Sequence, residues 1–227
     1  MTMLAIAAAF WLAIHIGIAG SALRGAVARL LGEGAFQGVF SVLTAGALVA
    51  LIWAFRHAPL QPLWTLPAPY YWVLAALMLP AFLLLVASVS GANPTLAGQP
   101  LESTGPRGVT RITRHPMLWS FALWAAVHVL GNGDFASLLF FGTFGVTAIV
   151  GMPSIDAKIA ARDPETWAGL SGTTSILPFG AIAAGRNRFA PGEIPWWVWL
   201  SGIALWALML HFHARLIGVP PVPGQTF

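Results

Sequence analysis

Apolar residues fall into six stretches along this 227-residue chain, separated by short polar or Gly/Pro-rich intervals. The stretches cover about residues 3–23, 36–55, 70–89, 117–130, 135–152 and 195–217. A helix needs roughly 20 mostly apolar residues to cross a hydrocarbon core of about 30 Å. The fourth and fifth stretches are short, and only Gly131-Asn-Gly-Asp134 separates them, which predicts a tight helical hairpin. The pattern therefore predicts an all-α fold: a polytopic transmembrane helix bundle with about six membrane-spanning helices. It forms one integral membrane domain over residues 1–227, with 153–194 as a cytoplasmic or interfacial loop.

Local signals refine this plan. Ala13, Gly17, Ser21 and Gly25 recur every four residues in the first stretch, the small-residue stripe that lets helices approach closely in lipid. Pro80 falls inside the third stretch and should kink it, freeing a carbonyl that a neighbour must satisfy. Residues 91–110, rich in Gly, Pro and Thr, read as a loop. Asp163-Pro164-Glu165 reads as an N-cap, a Pro at the first helical position and an acidic first turn, which predicts a short helix bearing Trp167.

Composition agrees with a membrane class: 58% of residues are hydrophobic and 8% charged, against roughly 25% charged in soluble domains. A pI near 10.7 could signal nucleic acid, but the distribution of the charge excludes that partner. Nine of the eleven Lys and Arg residues fall in the intervals after the first, third and fifth helices. Only Arg56 and Arg215 fall on the other side. Such a bias is the positive-inside rule, and it predicts an N-terminus outside the cytoplasm. Arginines follow the first apolar run and none precedes it, so a retained helix is expected there and not a signal peptide. The chain has no cysteine, which excludes disulfides and thiolate ligation.

Six histidines are the candidates for chemistry. His57 follows Arg56 at a helix end, and His115 opens the fourth helix just before Pro116. His211 and His213 lie near the outer end of the last helix, placed to snorkel or to bond the tail. His15 and His128 sit deeper, at roughly 18 and 16 Å from opposite ends of their helices at about 1.5 Å per residue. Ionisable groups at such depth are functional by default. The plain alternative is that each merely hydrogen-bonds a neighbouring helix. All seven acidic residues are expected in loops or at their edges, so a carboxylate-rich metal centre lacks ligands at depth. Two imidazoles among apolar and aromatic side chains suit a haem instead, with His15 and His128 as the metal ligands. Trp124, one turn before His128, would flank the macrocycle, and Arg24, Arg111 and Arg114 would meet its propionates.

The residues around His128 also carry a resemblance. Arg111-Ile-Thr-Arg-His-Pro116, Leu123-Trp-Ala-Ala-Val-His128 and Leu130-Gly-Asn-Gly-Asp-Phe-Ala136 resemble the NnrU family of membrane proteins. Thr174-Ser-Ile-Leu-Pro-Phe179, Gly185-Arg186 and His213-Ala-Arg-Leu-Ile-Gly-Val-Pro-Pro221 match it too. The 15-cis-ζ-carotene isomerases of plants and bacteria are similar to that family. The resemblance implies haem b held between two histidines, at the positions of His15 and His128. The isomerases have a cysteine three residues before the second histidine, where this chain has Ala125. The resemblance also implies an association with nitrite and nitric oxide respiration in bacteria, and in a bacterial inner membrane the charge bias makes the N-terminus periplasmic.

Three functions compete at this point. The first is a haem b protein serving nitrite or nitric oxide respiration or its assembly, with respiratory membrane proteins as partners beside membrane lipid. The second is a haem-dependent cis–trans isomerase of an apolar polyene such as ζ-carotene. The third is a methyltransferase, because Arg114-His115-Pro116 is similar to a short signature of isoprenylcysteine and phospholipid methyltransferases. Those enzymes add an acidic/tyrosine motif near the C-terminus, whereas the tyrosines here are Tyr70 and Tyr71.

Overall fold

The computed structural model describes residues 1–91, 93–95 and 105–224. Helix α1 (Thr2–Leu12) continues as a π-helical segment, Ala13–Ala19, that carries His15. The chain then turns and enters α2 (Leu23–Leu31), a separate helix with no buried residue. The expected span at 3–23 is therefore widened at His15 and broken at residues 20–22. The small-residue stripe makes no close helix contact within the chain: nothing lies within 4 Å of the position a Gly17 side chain would take.

Helices α3 (Glu33–Arg56) and α4 (Ala68–Val89) follow the second and third apolar stretches. Pro80 lies inside α4, and the Ala75 carbonyl, next to the Ala76 carbonyl that Pro80 cannot bond, accepts a bond of 2.8 Å from Trp206 Nε1 of the last helix. A one-turn helix α5 (Val109–Ile112) leads into α6 (Pro116–Asn132). Helix α7 (Phe135–Arg162) runs straight through Pro153, ten residues past the expected end. A membrane helix tolerates proline when neighbours satisfy the loosened backbone. The predicted short helix is present as α8 (Pro164–Thr173), where Asp163 accepts from the Thr166 amide at 3.0 Å. A single turn, α9 (Gly180–Ala183), precedes α10 (Trp196–Ile217).

Among the described residues, five helical spans are long and apolar enough to cross a membrane: Thr2–Ala19, Glu33–Arg56, Ala68–Val89, Phe135–Arg162 and Trp196–Ile217. Helix α6, with 17 residues, stands at the short limit of about 17–25 for a spanning helix. It packs between α4 and α7 and makes the expected hairpin with α7. Gly133 turns that hairpin at φ +64°, a left-handed conformation that a side chain would strain. The Trp64 carbonyl also sits where its side chain would be. Gln61, Leu63 and Trp64 bond the turn from the α3–α4 connection, Phe135 N to Gln61 O at 2.9 Å and Leu63 N to Gly133 O at 2.8 Å.

The core lies between α1, α3, α6 and α7. Leu4, Ala7, Trp11, Ile14, Ala47, Leu51, Ala125, Phe140 and Phe141 fill it, and Leu51 is fully enclosed. On the other flank α10 packs on α4, where Gly202 lets the backbones close up: a side chain there would come within 3.2 Å of Leu83 Cα. Large apolar side chains such as Ile6, Val42, Val49, Trp72 and Leu208 face outward, as contact with membrane lipid requires.

Candidate functional site

Two groups of polar side chains are built into this bundle, one at its basic end and one of histidines within the apolar helices. The first was not expected in its observed form. His115 is fully buried at the start of α6, and its Nε2 lies 2.8 Å from Asp156 Oδ1 on α7. Arg114 donates to the same carboxylate, from Nε to both oxygens at 3.0 Å and from Nη2 at 2.6 Å. Its guanidinium also lies 5.3 Å from the centre of the Trp167 ring. The expectation that every acidic residue stands in a loop or at its edge is corrected by Asp156, which is 6% exposed within α7. That expectation ended the fifth span at Met152. The spacing of Met152, Asp156 and Ile159, all buried on one helical face, was the signal that it continues.

The other two arginines assigned to propionates also have protein partners. Arg111 holds Glu193 with Nε at 2.7 Å and Nη2 at 2.9 Å, and bonds Asn187 through Nη1 at 2.7 Å. Glu193 accepts from the Gly108 amide as well, and these donors hold its carboxyl at about 2, well below the usual 4.5. Arg24 pairs with Glu33 and lies over Phe36. All three arginines stand at the basic end of the bundle, where Lys158 bonds the Ala19 carbonyl and Ser154 the Gly20 carbonyl.

The second group contains the intramembrane imidazoles. His15 Nδ1 lies 3.0 Å from the Trp11 carbonyl, and His128 Nδ1 lies 2.8 Å from the Trp124 carbonyl. A carbonyl only accepts, so each Nδ1 carries the proton and each Nε2 keeps its lone pair. Such a bond orients a ligating imidazole and makes it more basic. The same i−4 bond occurs at His57, 2.8 Å from the Trp53 carbonyl, on an exposed helix end. It is therefore a property of Trp-x-x-x-His on a helix, and position decides its use.

His15 and His128 are not brought together. His15 stacks on Trp11 with ring centres 4.0 Å apart, and Phe40 meets it edge-on at 5.6 Å. His128 stacks on Phe141 at 4.7 Å and contacts Trp124 at 5.1 Å. Phe144 touches both tryptophans, at 4.9 Å from Trp11 and 5.6 Å from Trp124. Helix α7 serves as a ruler for depth. Trp11 bonds Thr147 and Gly20 bonds Ser154, so His15 lies level with the residues between, whereas His128 lies level with Phe141. Distances counted from opposite helix ends place two residues at one level only when they add up to the thickness that both helices span. Helix α6 ends four residues after His128.

Next to His128 stands His213 of α10, with ring centres 6.3 Å apart. Its Nδ1 is 2.7 Å from the Val219 carbonyl, the bond to the tail that its position predicted. The remaining histidine, His211, meets Phe212 edge-on at 4.6 Å.

Comparison with known proteins fits this architecture. The NnrU protein family model matches residues 3–221. The chain belongs to the NnrU family. It is 25% identical over 221 residues to a protein of Arabidopsis thaliana named 15-cis-zeta-carotene isomerase, chloroplastic, covering 94% of this chain and 58% of that protein. A protein of Zea mays with the same name is 31% identical over 83 residues, 36% of this chain and 22% of its own length. The NnrU chain thus spans little more than half the length of the first of these relatives. No solved structure matches it.

Imidazoles oriented through Nδ1 and flat aromatic neighbours near His128 are side chains of the kind that could hold a haem. Trp11, Phe144 and Trp124 form an aromatic path between the His15 and His128 rings.

Proposed function

We propose that this NnrU chain is a membrane haem b protein in which His128 ligates the iron, and that it acts on the cis–trans geometry of an apolar polyene. The observation that carries the reading is the His128 imidazole itself. It is held by Nδ1 donation to Trp124 and by stacking on Phe141, with Nε2 left as the coordinating atom inside an aromatic wall. When bound, haem iron supplies a centre that accepts axial nitrogen ligands and changes by one electron. The chain's own part is to fix the imidazole tautomer, to exclude water with Trp124, Phe140, Phe141 and Phe144, and to expose apolar surface to a lipid-borne substrate.

The names of the plant relatives support a polyene substrate. Ala125 stands where the resemblance places a thiol; it is 2% exposed and packs on Gly145 of α7. Isomerisation here therefore proceeds without sulfur ligation. Service to nitrite or nitric oxide respiration in a bacterial inner membrane is the second reading, and the family match favours it. The methyltransferase reading is weaker, since Arg114 and His115 are both engaged by Asp156.

The test is an absorption spectrum of the purified, haem-supplied protein, oxidised and reduced, followed by incubation with a 15-cis polyene. A Soret band with b-type pyridine haemochrome, and conversion of the polyene, are expected. A haem-loaded protein that leaves the polyene unchanged removes the isomerase reading. A protein that takes up no haem removes the cofactor with it.

A further inference from the structure

Helix α2 is the element that the bundle does not absorb. None of its nine residues is buried, and Leu30 near its end is 84% exposed. At roughly 1.5 Å per residue it spans about 13 Å, too short to cross a hydrocarbon core of about 30 Å. Breaks bound it on both sides: the turn at residues 20–22 separates it from the first span, and Gly32 at φ +85° separates it from α3. The first span reaches it at the basic end of the bundle, where Lys158 bonds the Ala19 carbonyl. Helix α2 therefore stays at that surface.

Its sequence gives it two sides. At about 100° per residue, Leu23, Ala26, Val27, Leu30 and Leu31 fall within an arc of about 140°. Arg24 and Arg29 flank the arc, and Gly25 and Ala28 lie between them on the opposite side. Gly25 and Ala28 are half-buried, in a helix whose contacts are with the π-helical segment and α3. Leu23, Ala26, Leu30 and Leu31 are exposed, so the apolar side turns away from the protein. An outward apolar face flanked by basic residues is the pattern of a helix lying in the plane of a bilayer surface.

Charge names the partner. Arg24, Arg29 and Lys158 gather at this end, and Glu33 is the carboxylate paired with Arg24. Lys158 stands near enough to Arg24 for the two cations to repel. Arg29 folds back over the Gly25 turn, its Nη1 3.6 Å from where a Gly25 side chain would begin. It makes no ion pair among the described residues. Three cations beside one carboxylate leave a positive excess where lipid headgroups lie.

We propose that α2 lies in the membrane surface and binds anionic phospholipid headgroups through Arg29, with Arg24 and Lys158 adding charge at the same end. The apolar face enters the boundary between headgroups and acyl chains, and the Arg29 guanidinium donates to phosphate oxygens.

The experiment uses the absence of cysteine, which lets Leu30→Cys carry a fluorophore at one place in the full-length protein. The labelled protein is placed in vesicles of phosphatidylcholine and phosphatidylglycerol, with one lipid or the other brominated on its acyl chains. Bromine quenches at contact, so the two titrations give the relative association of each lipid beside α2. Phosphatidylglycerol is expected to be preferred, and Arg29→Gln to lower that preference about fivefold, the effect of one cation at an anionic surface. Added salt should lower it in the unsubstituted protein too. Arg188→Gln, a cation paired with Glu193 outside this cluster, should leave it unchanged. Equal quenching by the two lipids, or a preference that survives Arg29→Gln, overturns the proposal. A fluorophore quenched by neither lipid also overturns it: quenching by aqueous iodide would then place α2 in water, and protection from iodide would place it against a second protein surface.

Discussion

His115 Nε2 and Asp156 Oδ1 meet at 2.8 Å inside the protein, tying the first turn of α6 to the last third of α7. Arg114 closes the same carboxylate from the other side, so one buried acid serves a cation and an imidazole together. Charges are taken out of water only when paired and hydrogen-bonded. The backbone around them is knit as well: Arg114 N bonds Ser175 O at 3.1 Å, and Trp119 Nε1 bonds Ile176 O at 2.8 Å. The family-matching Arg-His-Pro and Thr-Ser-Ile-Leu-Pro segments are therefore two halves of one joint.

Removing the acid should weaken that joint strongly. Asp156→Ala leaves the Arg114 cation buried without a counter-charge, which costs about 3–5 kcal/mol. The exposed pair of Arg24 and Glu33 is the control, and Glu33→Ala should cost no more than about 1 kcal/mol. Unfolding of the purified protein in detergent, followed by circular dichroism, measures both. An Asp156→Ala protein within about 1 kcal/mol of wild type would show that the network is not stabilising.

The rim pair should respond to acid. Glu193 titrates at about 2 in the folded protein because Arg111 and the Gly108 amide stabilise its carboxylate, against 4.5 as the ordinary value. A lowered folded value means that the unfolded chain binds the proton more tightly. The contribution is therefore fully present above about 4.5 and is lost as pH falls toward about 2. Glu193→Gln should flatten the stability profile between those values and leave it unchanged near neutral pH. An equally steep acid decline in the variant would assign that decline to other carboxylates.

Orientation follows from charge. Nine basic residues gather at the end bearing Arg111 and Lys158, which the positive-inside rule assigns to the cytoplasm. Because the chain has no cysteine, single cysteines report cleanly. Leu60→Cys, in the connection after α3, should react with a membrane-impermeant thiol reagent in intact cells. Arg188→Cys, at a side chain 77% exposed, should react only after permeabilisation. The reverse pattern would invert the topology.

How much of this was legible in the sequence depends on the range of the interaction concerned. Each apolar stretch, the Gly133 turn and the Asp163 cap are short-range matters: a run of apolar residues must become helix in lipid, and a positive φ selects glycine. The orientation of the imidazoles was local too, since an i−4 carbonyl is always within reach on a helix. The fifth apolar run stops at residue 152, whereas α7 continues through Pro153 to Arg162 and carries Asp156 in that polar extension. Which histidines meet was not local at all. Depth counted along each helix takes no account of helix length, of the π-helical widening at His15, or of which helices α4 and α7 hold side by side. Those are set by packing between side chains far apart in the chain, such as Gly202 on Leu83 and Ala125 on Gly145. The apolar pattern, being similar on every face of every span, carries too little information to choose among the possible neighbours.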